Sequence, residues 1–501
     1  MATTFSIPIF ARGEIIEGAD VVNKGRYGAS FATPDAGRHL DKLILHNRNL
    51  LTELYALSTD EIIDFLVELG DRLNPKANPH VQWALGLNET FSDMPRALCE
   101  GSYRGLTAKN GMLSRERLEA VVATIGREHI DGWDEQTQYN GRRIGVRAIG
   151  VPTVHVIAGN APGISTITFL RNALIRGYAL VKIPSNELGA AIALGKTLLD
   201  MAPDHPLTRS WSAAYWRGGD TAFEEKLYHP RNFDRIVAWG GRQSITHIAR
   251  YLRPGLDIVM FDPKNSRAFI GEEALQSEAA MDEAAIRLAA DVGYNNQNGC
   301  ANARLAFIRC APGVETADAV RRFARKVFDA IQRLPAIIST PAPRLSADFA
   351  ARLDGLRMLD DEFEVVGGDE RGGVIISLQG EPVDFANDLA YRTLNLIPVA
   401  DFDVALRRTT RDVQTVGVWP ACLRDELRLP LALHGVQRVT TLGYMLNYDS
   451  ITVPHDGTEA LRRMATWVVS EDCEAVPELW HDLRERPVPR HPVRASANFE
   501  P

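Results

Sequence analysis

The stretch VPTVHVIAGNAPG, residues 151–163, decides how this chain folds. Its first part is rich in β-branched residues and predicts a buried strand over 154–158, and its second part is a turn that leads into a predicted helix over 163–176. A strand over 179–183 and a helix over 187–201 repeat this order, with Ser185 or Asn186 as the helix cap. Strands that alternate with helices predict a parallel sheet.

The alternation extends along most of the chain. Strands are predicted at 234–239 and 256–261, with a helix at 244–252 between them. A second block begins near residue 277 with a helix, a break at 294–300, a strand at 304–308 and a helix at 317–334, followed by strands at 374–378, 396–400 and 415–419. This order predicts an α/β fold with two doubly wound lobes. Residues 1–130 are expected to be mainly helical, order to weaken after Gly443, and 486–501 to form a loose tail.

The composition excludes several classes of protein. The chain has 501 residues, 45% of them hydrophobic, and its 56 Lys and Arg against 64 Asp and Glu give a net charge of -8 without long runs of one sign. A nucleic-acid or polybasic membrane binder is therefore not expected, and no stretch is apolar enough for a signal peptide or a membrane-spanning helix. Five widely spaced cysteines without a CxxC pair argue against disulfides and a Cys-based zinc site, and they favour a reducing cytoplasm.

Cys300 is the candidate nucleophile. It ends the amide-rich break YNNQNGC at 294–300, between a helix and a strand, where a partly exposed thiolate could attack a carbonyl and backbone N–H groups could stabilise the oxyanion. The alternative is a small buried hydrophobic residue, and position alone favours that alternative. The other four cysteines lack such a cluster and are interpreted as structural: Cys99, Cys310, Cys422 and Cys473.

Further candidates follow the strands of the first lobe, whose carboxyl ends should share one edge of the sheet. Asn160 can donate a hydrogen bond to an oxyanion or simply cap the next helix. Lys182 can bind ribose hydroxyls or phosphate, although a lysine at a strand end is ordinarily only solvated. Gly240, Gly241 and Arg242 offer free N–H groups to a pyrophosphate, but a glycine pair is a weak signal, and no GxGxxG is present.

The order of these features is more specific than any one of them. An Asn turn, a strand with Lys-x-x-Ser, a Gly-Gly turn, a strand with Lys-Asn and a loop ending in Cys resemble the aldehyde dehydrogenase superfamily from about residue 142 to 443. Three segments are most similar to the LuxC-type acyl-CoA reductases: DPKNS at 262–266, the loop at 295–302 and PHDG at 454–457.

The resemblance implies roles for individual residues. Cys300 matches the nucleophile, and Asn160 with the backbone N–H of Cys300 matches the oxyanion hole. Lys182 matches the lysine at the adenosine ribose, and Gly241 the glycine near the pyrophosphate. The implied domains are a helical part with the dinucleotide-binding domain at 1–131 and 152–272, an oligomerisation hairpin at 132–151, a catalytic domain at 273–445, and a C-terminal segment and tail at 446–501.

Three departures from the superfamily pattern bear on the chemistry. Met260 stands where hydrolytic members carry the Glu that activates water, so an acyl-enzyme should persist until a thiol or a hydride reaches it. LNLIPV at 394–399 replaces the Glu-x-x-Gly-Pro-Val segment, which puts the ribose contact in doubt. Ser185 replaces an acidic residue that repels a 2'-phosphate, so NADPH is favoured, with Arg242 as a phosphate partner and NADH still open because Glu187 lies nearby.

These observations predict a cytoplasmic, homo-oligomeric acyl-CoA reductase that forms an aldehyde through a Cys300 thioester. An acyl-protein synthetase is the partner that the resemblance implies. Two alternatives remain: an aldehyde dehydrogenase that forms acyl-CoA or acid, and a non-redox subunit that only carries the acyl group on Cys300. The chain length and chemistry of the acyl group are left open.

Overall fold

The computed structural model describes residues 5–25, 28–139, 141–446, 451–472 and 478–486. Its strands are β1 Phe5–Ser6, β2 Ile9–Ala11, β3 Glu14–Ile16, β4 Val21–Lys24, β5 Ser30–Thr33, β6 Asp134–Thr137, β7 Arg143–Gly150, β8 Pro152–Val156, β9 Tyr178–Lys182, β10 Trp211–Ala214, β11 Arg235–Trp239, β12 Asp257–Phe261, β13 Asn265–Ile270, β14 Ala303–Arg309, β15 Phe363–Asp369, β16 Gly372–Ser377, β17 Thr393–Val399, β18 Val413–Trp419, β19 Arg438–Thr441 and β20 Ala465–Asp472.

The helices are α1 Leu40–Leu43, α2 Asn49–Tyr55, α3 Thr59–Arg72, α4 Pro79–Phe91, α5 Arg96–Arg104, α6 Arg115–Ala123, α7 Arg127–Asp131, α8 Gly163–Leu174, α9 Ala190–Met201, α10 Pro206–Arg209, α11 Thr221–Leu227, α12 Arg242–Ala249, α13 Glu278–Gly293, α14 Val314–Gln332, α15 Ala347–Arg357, α16 Phe402–Arg407, α17 Leu423–Leu433, α18 Ala460–Met464 and α19 Glu478–Glu485. Within the described residues, no helix is both long and apolar enough to cross a membrane.

The first lobe is built on a seven-stranded sheet in the order β12-β11-β8-β9-β10-β2-β3. Its first five strands are parallel, and β8, β9 and β10 are buried along almost their whole length. Buried strands of this kind need helices on both faces, which is why β-branched runs alternate with helices in the sequence. The predicted parallel α/β sheet is confirmed, and the turns after β8, β9 and β11 share one edge.

The N-terminal part corrects the expectation of a mainly helical segment. The short strands β2 and β3 extend the first sheet in antiparallel sense, and β1, β4 and β5 form a separate three-stranded sheet. All three residues of β2 are buried against the core. Strands of two to four residues are too short to give a periodicity, so their apolar residues are not distinguishable from a loop in the sequence.

The second lobe has another seven-stranded sheet, in the order β15-β16-β17-β14-β13-β18-β19. All neighbouring pairs are parallel except β15 and β16. The chain passes from the first sheet to the second between Phe261 and Asn265, a few residues before position 272. The expectation of two α/β lobes is therefore confirmed by the sheet topology.

A third small sheet, in the order β20-β7-β6, corrects the expectation that order weakens after Gly443. The eight residues of β20 pair with β7 in antiparallel register from Ala465–Gly150 to Asp472–Arg143. The hairpin of β6 and β7 thus receives its third strand from the end of the chain. Apart from Arg486, the predicted tail at 486–501 lies outside the described residues.

The start of helix α9 also differs from the prediction. The helix begins at Ala190 after Gly189, and neither Ser185 nor Asn186 caps it. Glu187 Oε1 instead accepts a hydrogen bond from the Ala190 N–H at 2.9 Å. The side chain of Asn186 turns away to the preceding turn, where Nδ2 donates to Gly159 O at 2.8 Å. Asn is a common helix cap, but Asn186 instead stabilises the neighbouring turn at Gly159.

Candidate active site

Cys300 lies in the loop between helix α13 and strand β14, at the amino end of the second sheet. Its backbone O accepts a hydrogen bond from Ser266 Oγ at 2.8 Å, and Ser266 Oγ accepts one from the Thr415 N–H at 3.1 Å. Asn302 shapes the loop from inside: its Oδ1 accepts from the Gly299 N–H at 2.8 Å. The loop is therefore tied to strand β13 through Ser266, which also bonds β18.

The amide residues before Cys300 adopt a backbone conformation that is uncommon for residues other than glycine. Asn295, Asn296 and Gln297 all have positive φ, at 51°, 51° and 64°. Asn tolerates this left-handed region better than most residues, while Gln does so only when tertiary contacts hold it. Gln297 is 1% exposed and bonds the backbone on both sides of the loop, with Nε2 on Ala303 O and Thr393 O and Oε1 on the Thr393 N–H. The amide cluster is the scaffold of the cysteine loop.

Asn160 reaches this loop from the first lobe. It stands in the turn between β8 and α8, and its Nδ2 donates to Asn298 O at 2.9 Å, two residues before Cys300. The turn itself is held by Asn186, whose Nδ2 donates to Gly159 O at 2.8 Å and whose side chain would have to move to admit a Cβ at Gly159. Asn160 Oδ1 has no hydrogen-bond partner among the described residues. The structure thus brings together the two residues predicted as catalytic, from opposite lobes.

Three further residues contact or surround the sulfur, and the sequence analysis gave them no role. Gln414 on β18 donates from Nε2 to Cys300 Sγ at 3.0 Å, and the same Nε2 is hydrogen-bonded to Asp456 Oδ1. Cys300 Sγ, a nitrogen of His455 and a carboxylate oxygen of Asp456 lie within 4.8 Å of one another. The PHDG segment at 454–457 resembles related sequences, but its position in the sequence does not indicate that its side chains lie next to Cys300.

The electrostatics of this cluster reflect burial. Burial, followed by the nearby Asp456 carboxylate, raises the pKa of the Cys300 thiol to about 11, although Gln414 acts in the opposite sense. Burial also raises the pKa of Asp456 to about 6, opposed by Gln414 and Lys264. Burial and Arg171 lower the pKa of His455 to about 3. Around neutral pH the thiol is therefore protonated, the carboxyl group is close to its titration range, and the imidazole is neutral.

Lys182 ends strand β9 in an aromatic pocket. Its Nζ lies 5.5 Å from the centre of the Trp216 ring and 5.9 Å from that of Tyr215. Burial lowers its pKa, while the Glu224 carboxylate raises it. Glu224 is itself fully buried and bonded to His247 Nε2 at 2.6 Å. A partly buried ammonium near two aromatic rings is suited to a ligand that carries hydroxyl or phosphate oxygens.

The remaining predicted binding residues lie on the same edge of the first sheet. Ser185 follows β9 and is partly exposed, and Gly240 precedes Gly241, which is the N-cap of α12. Gly241 and Arg242 are exposed, and nothing lies within 4 Å of a Cβ placed on Gly241. The backbone N–H groups at the start of α12 are thus open to a bound group.

An aromatic stack lies next to this edge. Trp239 and Phe261, at the ends of β11 and β12, have ring centroids 3.9 Å apart. The buried Trp239 Nε1 has no hydrogen-bond partner among the described residues. Arg171 of α8 covers both rings, at 5.6 Å from Trp239 and 5.8 Å from Phe261.

The departures from the superfamily pattern have structural counterparts. Met260 on β12 is 41% exposed, as a residue that borders an open region would be. Leu394 on β17 is fully buried in the core of the second lobe, so it has no surface with which to contact a ribose. The segment 394–399 thus supplies no counterpart to the carboxylate that it replaces.

The other cysteines differ among themselves. Cys99 and Cys310 are buried, as expected of structural cysteines, and burial raises the pKa of Cys99 to about 12. Cys310 lines a cavity of about 500 Å³ at the carboxyl ends of β14 and β17, the opposite edge of the sheet from Cys300. Cys422 is exposed, so its interpretation as a buried structural residue is wrong. Cys473 lies outside the described residues.

Comparison with solved structures defines the class of the fold. PnpE from Pseudomonas sp. WBC-3 superposes with a TM-score of 0.71 over 95% of this chain and 100% of that one, at 13% identity. Lactaldehyde dehydrogenase from Escherichia coli gives a TM-score of 0.68 over 94% of this chain and 99% of that one, also at 13% identity. The fold is that of the aldehyde dehydrogenases. Solved neighbours of this fold include complexes with NAD and NAP.

The sequence comparisons identify the family within that class. The family model described as acyl-CoA reductase (LuxC) matches residues 54–467. This chain belongs to that family, and the prediction of an aldehyde-forming oxidoreductase is confirmed. It is 25% identical to the long-chain acyl-protein thioester reductase of Vibrio harveyi over 93% of each chain. The protein of the same description from Aliivibrio fischeri is 25% identical over 64% of each.

Proposed function

We propose that this protein reduces an acyl group carried on CoA, or on another thiol carrier, to the aldehyde with NADPH or, less efficiently, NADH. The Cys300 sulfur attacks the acyl carbon, and the carrier leaves as its free thiol, so one thioester bond replaces another. The nicotinamide dinucleotide, when bound, supplies the hydride that reduces the Cys300 thioester. The adduct then loses the sulfur, aldehyde leaves, and one proton from solution restores the thiol.

The observation that carries this proposal is the contact between the Asn160 turn and the Cys300 loop across the two lobes. An oxygen that gains charge during attack by Cys300 would lie near the Asn160 amide and the Cys300 N–H. Donors fixed before the reaction lower its barrier because they need no reorganisation as charge develops. Asn160 Nδ2 donates to Asn298 O, and Asn186 Nδ2 holds the neighbouring Gly159 O, so the Asn160 amide is fixed in this sense.

A second feature favours reduction over hydrolysis. Met260 has no proton-accepting group, so it cannot activate water at the position where hydrolytic relatives of this fold carry a Glu. Asp456, the carboxyl group close to Cys300, has a side chain that is only 5% exposed. The position of Met260 thus offers no base that would activate water against the Cys300 thioester. The thioester therefore persists until a hydride reaches it.

The first sheet provides the residues for the cofactor. Lys182 in its aromatic pocket fits an adenosine ribose, and the open start of α12 at Gly240 and Gly241 fits a pyrophosphate. Arg242 is exposed at that helix start, and Ser185 adds no negative charge near β9. The positive charge of Arg242 and the uncharged side chain of Ser185 support NADPH, while Glu187 near Ser185 leaves NADH possible. The unpartnered Trp239 Nε1 and Asn160 Oδ1 provide further groups for a bound dinucleotide.

The domain roles follow from this assignment. We propose that the first lobe with the N-terminal helices binds the dinucleotide, that the second lobe carries the nucleophile, and that the β6–β7 hairpin mediates homo-oligomerisation. The names of the relatives support an acyl-protein as a natural donor, so a synthetase that loads the acyl group is the proposed partner. Chemistry that depends on a free thiol supports a reducing compartment, the cytoplasm.

The decisive experiment is a panel of acyl-CoA substrates of different chain length and aromatic character. The wild-type protein and Cys300→Ala are incubated with NADPH or NADH, and cofactor oxidation, free thiol and aldehyde are measured together. The wild type should oxidise one cofactor for each thiol and aldehyde formed, and Cys300→Ala should form neither. Cys422→Ala, which removes an exposed cysteine remote from the loop, should retain full activity.

Two outcomes would overturn the proposal. Thiol release without cofactor oxidation would make the chain an acyl carrier of a larger complex. Free acid in place of aldehyde would make it a hydrolase. Met260→Glu tests the account of suppressed hydrolysis: it should increase the release of acid from the acyl-enzyme, and no increase would show that Met260 is not what withholds water.

A further inference from the structure

We propose that Asp456 is the proton-transfer group of the Cys300 sulfur, taking the thiol proton on acylation and returning a proton when aldehyde leaves. The inference rests on the proposed function, because it concerns the same thiol. It adds to that function a catalytic residue that lies 156 positions from the nucleophile in the sequence and next to it in the structure.

The geometry that supports this role is a three-residue contact. Gln414 Nε2 donates to Cys300 Sγ at 3.0 Å and is hydrogen-bonded to Asp456 Oδ1, so one amide group holds the sulfur and the carboxylate together. The sulfur and a carboxylate oxygen of Asp456 lie within 4.8 Å of each other. Such contacts commonly tighten only when substrate binds.

The charges around Asp456 allow it to exist in both forms. Burial and Asp262 favour the neutral acid, while the hydrogen bond from Gln414 and the charges of Lys264 and Arg171 favour the carboxylate, so the pKa of Asp456 is raised to about 6. Asp262 in turn lies 3.9 Å from Lys264. A group with a pKa near the working pH is effective as both acceptor and donor. The Cys300 thiol, with a pKa of about 11, does not ionise by itself at neutral pH and needs an acceptor.

His455 is adjacent but less suited to the role. Its ring packs against the stacked Trp239 and Phe261, with centroid distances of 5.2 and 5.3 Å. Arg171 lies over the same two rings and disfavours a second positive charge. An imidazole whose pKa is lowered to about 3 is a weak proton acceptor. We therefore assign His455 a packing role beside Asp456.

The steps balance as follows. In acylation the Cys300 S–H bond breaks, its proton passes to the Asp456 carboxylate, and the sulfur forms the new thioester as the old C–S bond breaks. Asp456 then gives that proton to the departing carrier thiolate. After hydride addition, the C–S bond to Cys300 breaks as aldehyde forms. Asp456, which became a carboxylate again when the carrier left, takes one proton from solvent and passes it to the Cys300 thiolate, so the thiol and the carboxylate are both restored.

Asp456→Asn tests the role without disturbing the backbone. Asp456 has a φ of 51°, a left-handed conformation that Asn adopts readily, and the Asn side-chain oxygen can still accept from Gln414. Two rates are measured across pH: thiol release from an acyl-CoA in a single turnover, and alkylation of Cys300 by iodoacetamide, corrected with Cys300→Ala. The matched control is Asp412→Asn, which removes an exposed carboxylate two residues before Gln414.

The proposal predicts opposite changes in the two rates. Without the Asp456 charge the thiol pKa falls, so alkylation at pH 7 should become several-fold faster than in the wild type. Acyl transfer should become about 100-fold slower and lose the dependence on a group that titrates near pH 6. Asp456→Glu should recover part of the acyl-transfer rate and the titration. Asp412→Asn should leave both rates unchanged.

Other results would overturn it. If acyl transfer and alkylation both fall in parallel, Asp456 only supports the loop, and if acyl transfer is unchanged, the proton goes elsewhere. These readouts are independent of the cofactor. A wild-type protein that releases thiol but oxidises no cofactor would contradict the proposed reductase activity while the comparison with Asp456→Asn still decides the proton-transfer role.

Discussion

Asn160 and Cys300 belong to different lobes, and the Asn160 side chain bonds the loop that carries the sulfur. Replacing Asn160 with Ala removes one oxyanion donor and leaves the thiol in place. We expect acyl transfer to fall about 10²- to 10³-fold, while alkylation of Cys300 by iodoacetamide changes less than about 3-fold. Single-turnover release of CoA measures the first rate. A loss of less than about 5-fold would show that Asn160 is not a donor to the reacting oxygen.

A second prediction concerns a buried acid outside the site. Burial raises the pKa of Asp291 to about 7. Hydrogen bonds from the Gly443 N–H at 2.6 Å and the Met445 N–H at 2.9 Å act in the opposite direction, because they stabilise the carboxylate. An acid whose pKa is higher in the folded protein binds more protons folded than unfolded, so stability rises as pH falls from about 8 towards 4. The free energy of unfolding of Asp291→Asn, measured in urea at pH 8, 7 and 6, should depend less on pH than that of the wild type. An equally steep dependence would contradict this.

Only some residues of the candidate site are predictable from the sequence. Cys300 and Asn160 were identifiable because each ends a local pattern, an amide-rich break or a strand followed by a turn. Their roles remain predictions. Gln414 and Asp456 were not identifiable, because they meet the sulfur only through tertiary contacts across 114 and more residues of sequence. Ser185 and Asn186 were predicted as caps because residue type alone does not show that Asn186 bonds Gly159 instead.

At the scale of elements, the loop before β14 depends on one amide side chain. Gln297→Leu keeps the approximate volume but removes the side-chain donor to Ala303 O and Thr393 O, whereas the Thr393 N–H keeps a second acceptor, Ala390 O at 3.1 Å. We expect a loss of about 2 kcal/mol in the free energy of unfolding, because each buried group that loses its partner costs about 1 kcal/mol or more. The exposed Gln276→Leu should change stability by less than about 0.5 kcal/mol. Urea denaturation measures both, and equal effects would show that the amide is not what holds the loop.

The elements themselves were predictable in proportion to their length. The strands β8, β9, β11, β14 and β18 lie within a few residues of their predicted positions because each is a buried run of five or more residues next to a helix. The strands β2 and β3, at one end of the first sheet, have three residues each, and β20 follows a segment of mixed composition. Their pairing is decided by the sheet that they join, which local sequence does not contain.

At the scale of the whole molecule, the third sheet offers an apolar edge. Val468 on β20 is 37% exposed and Val469 is 55% exposed, and β20 is an outer strand. If the hairpin mediates homo-oligomerisation, Val469→Asp should shift the protein to a smaller mass in light scattering after size exclusion, because a carboxylate would be buried without a partner. Val314→Asp, at an exposed site on α14, should not. An unchanged mass for Val469→Asp would remove β20 from the proposed interface.

The pairing of β20 with β7 has a consequence for biosynthesis. The ribosome releases β7 long before β20, since Gly150 and Ala465 are partners in the register. At about 5–20 residues per second, the hairpin spends on the order of tens of seconds with one edge uncovered. During translation it is thus exposed to nascent chains on neighbouring ribosomes, and chaperone capture at that stage would favour correct closure of the sheet.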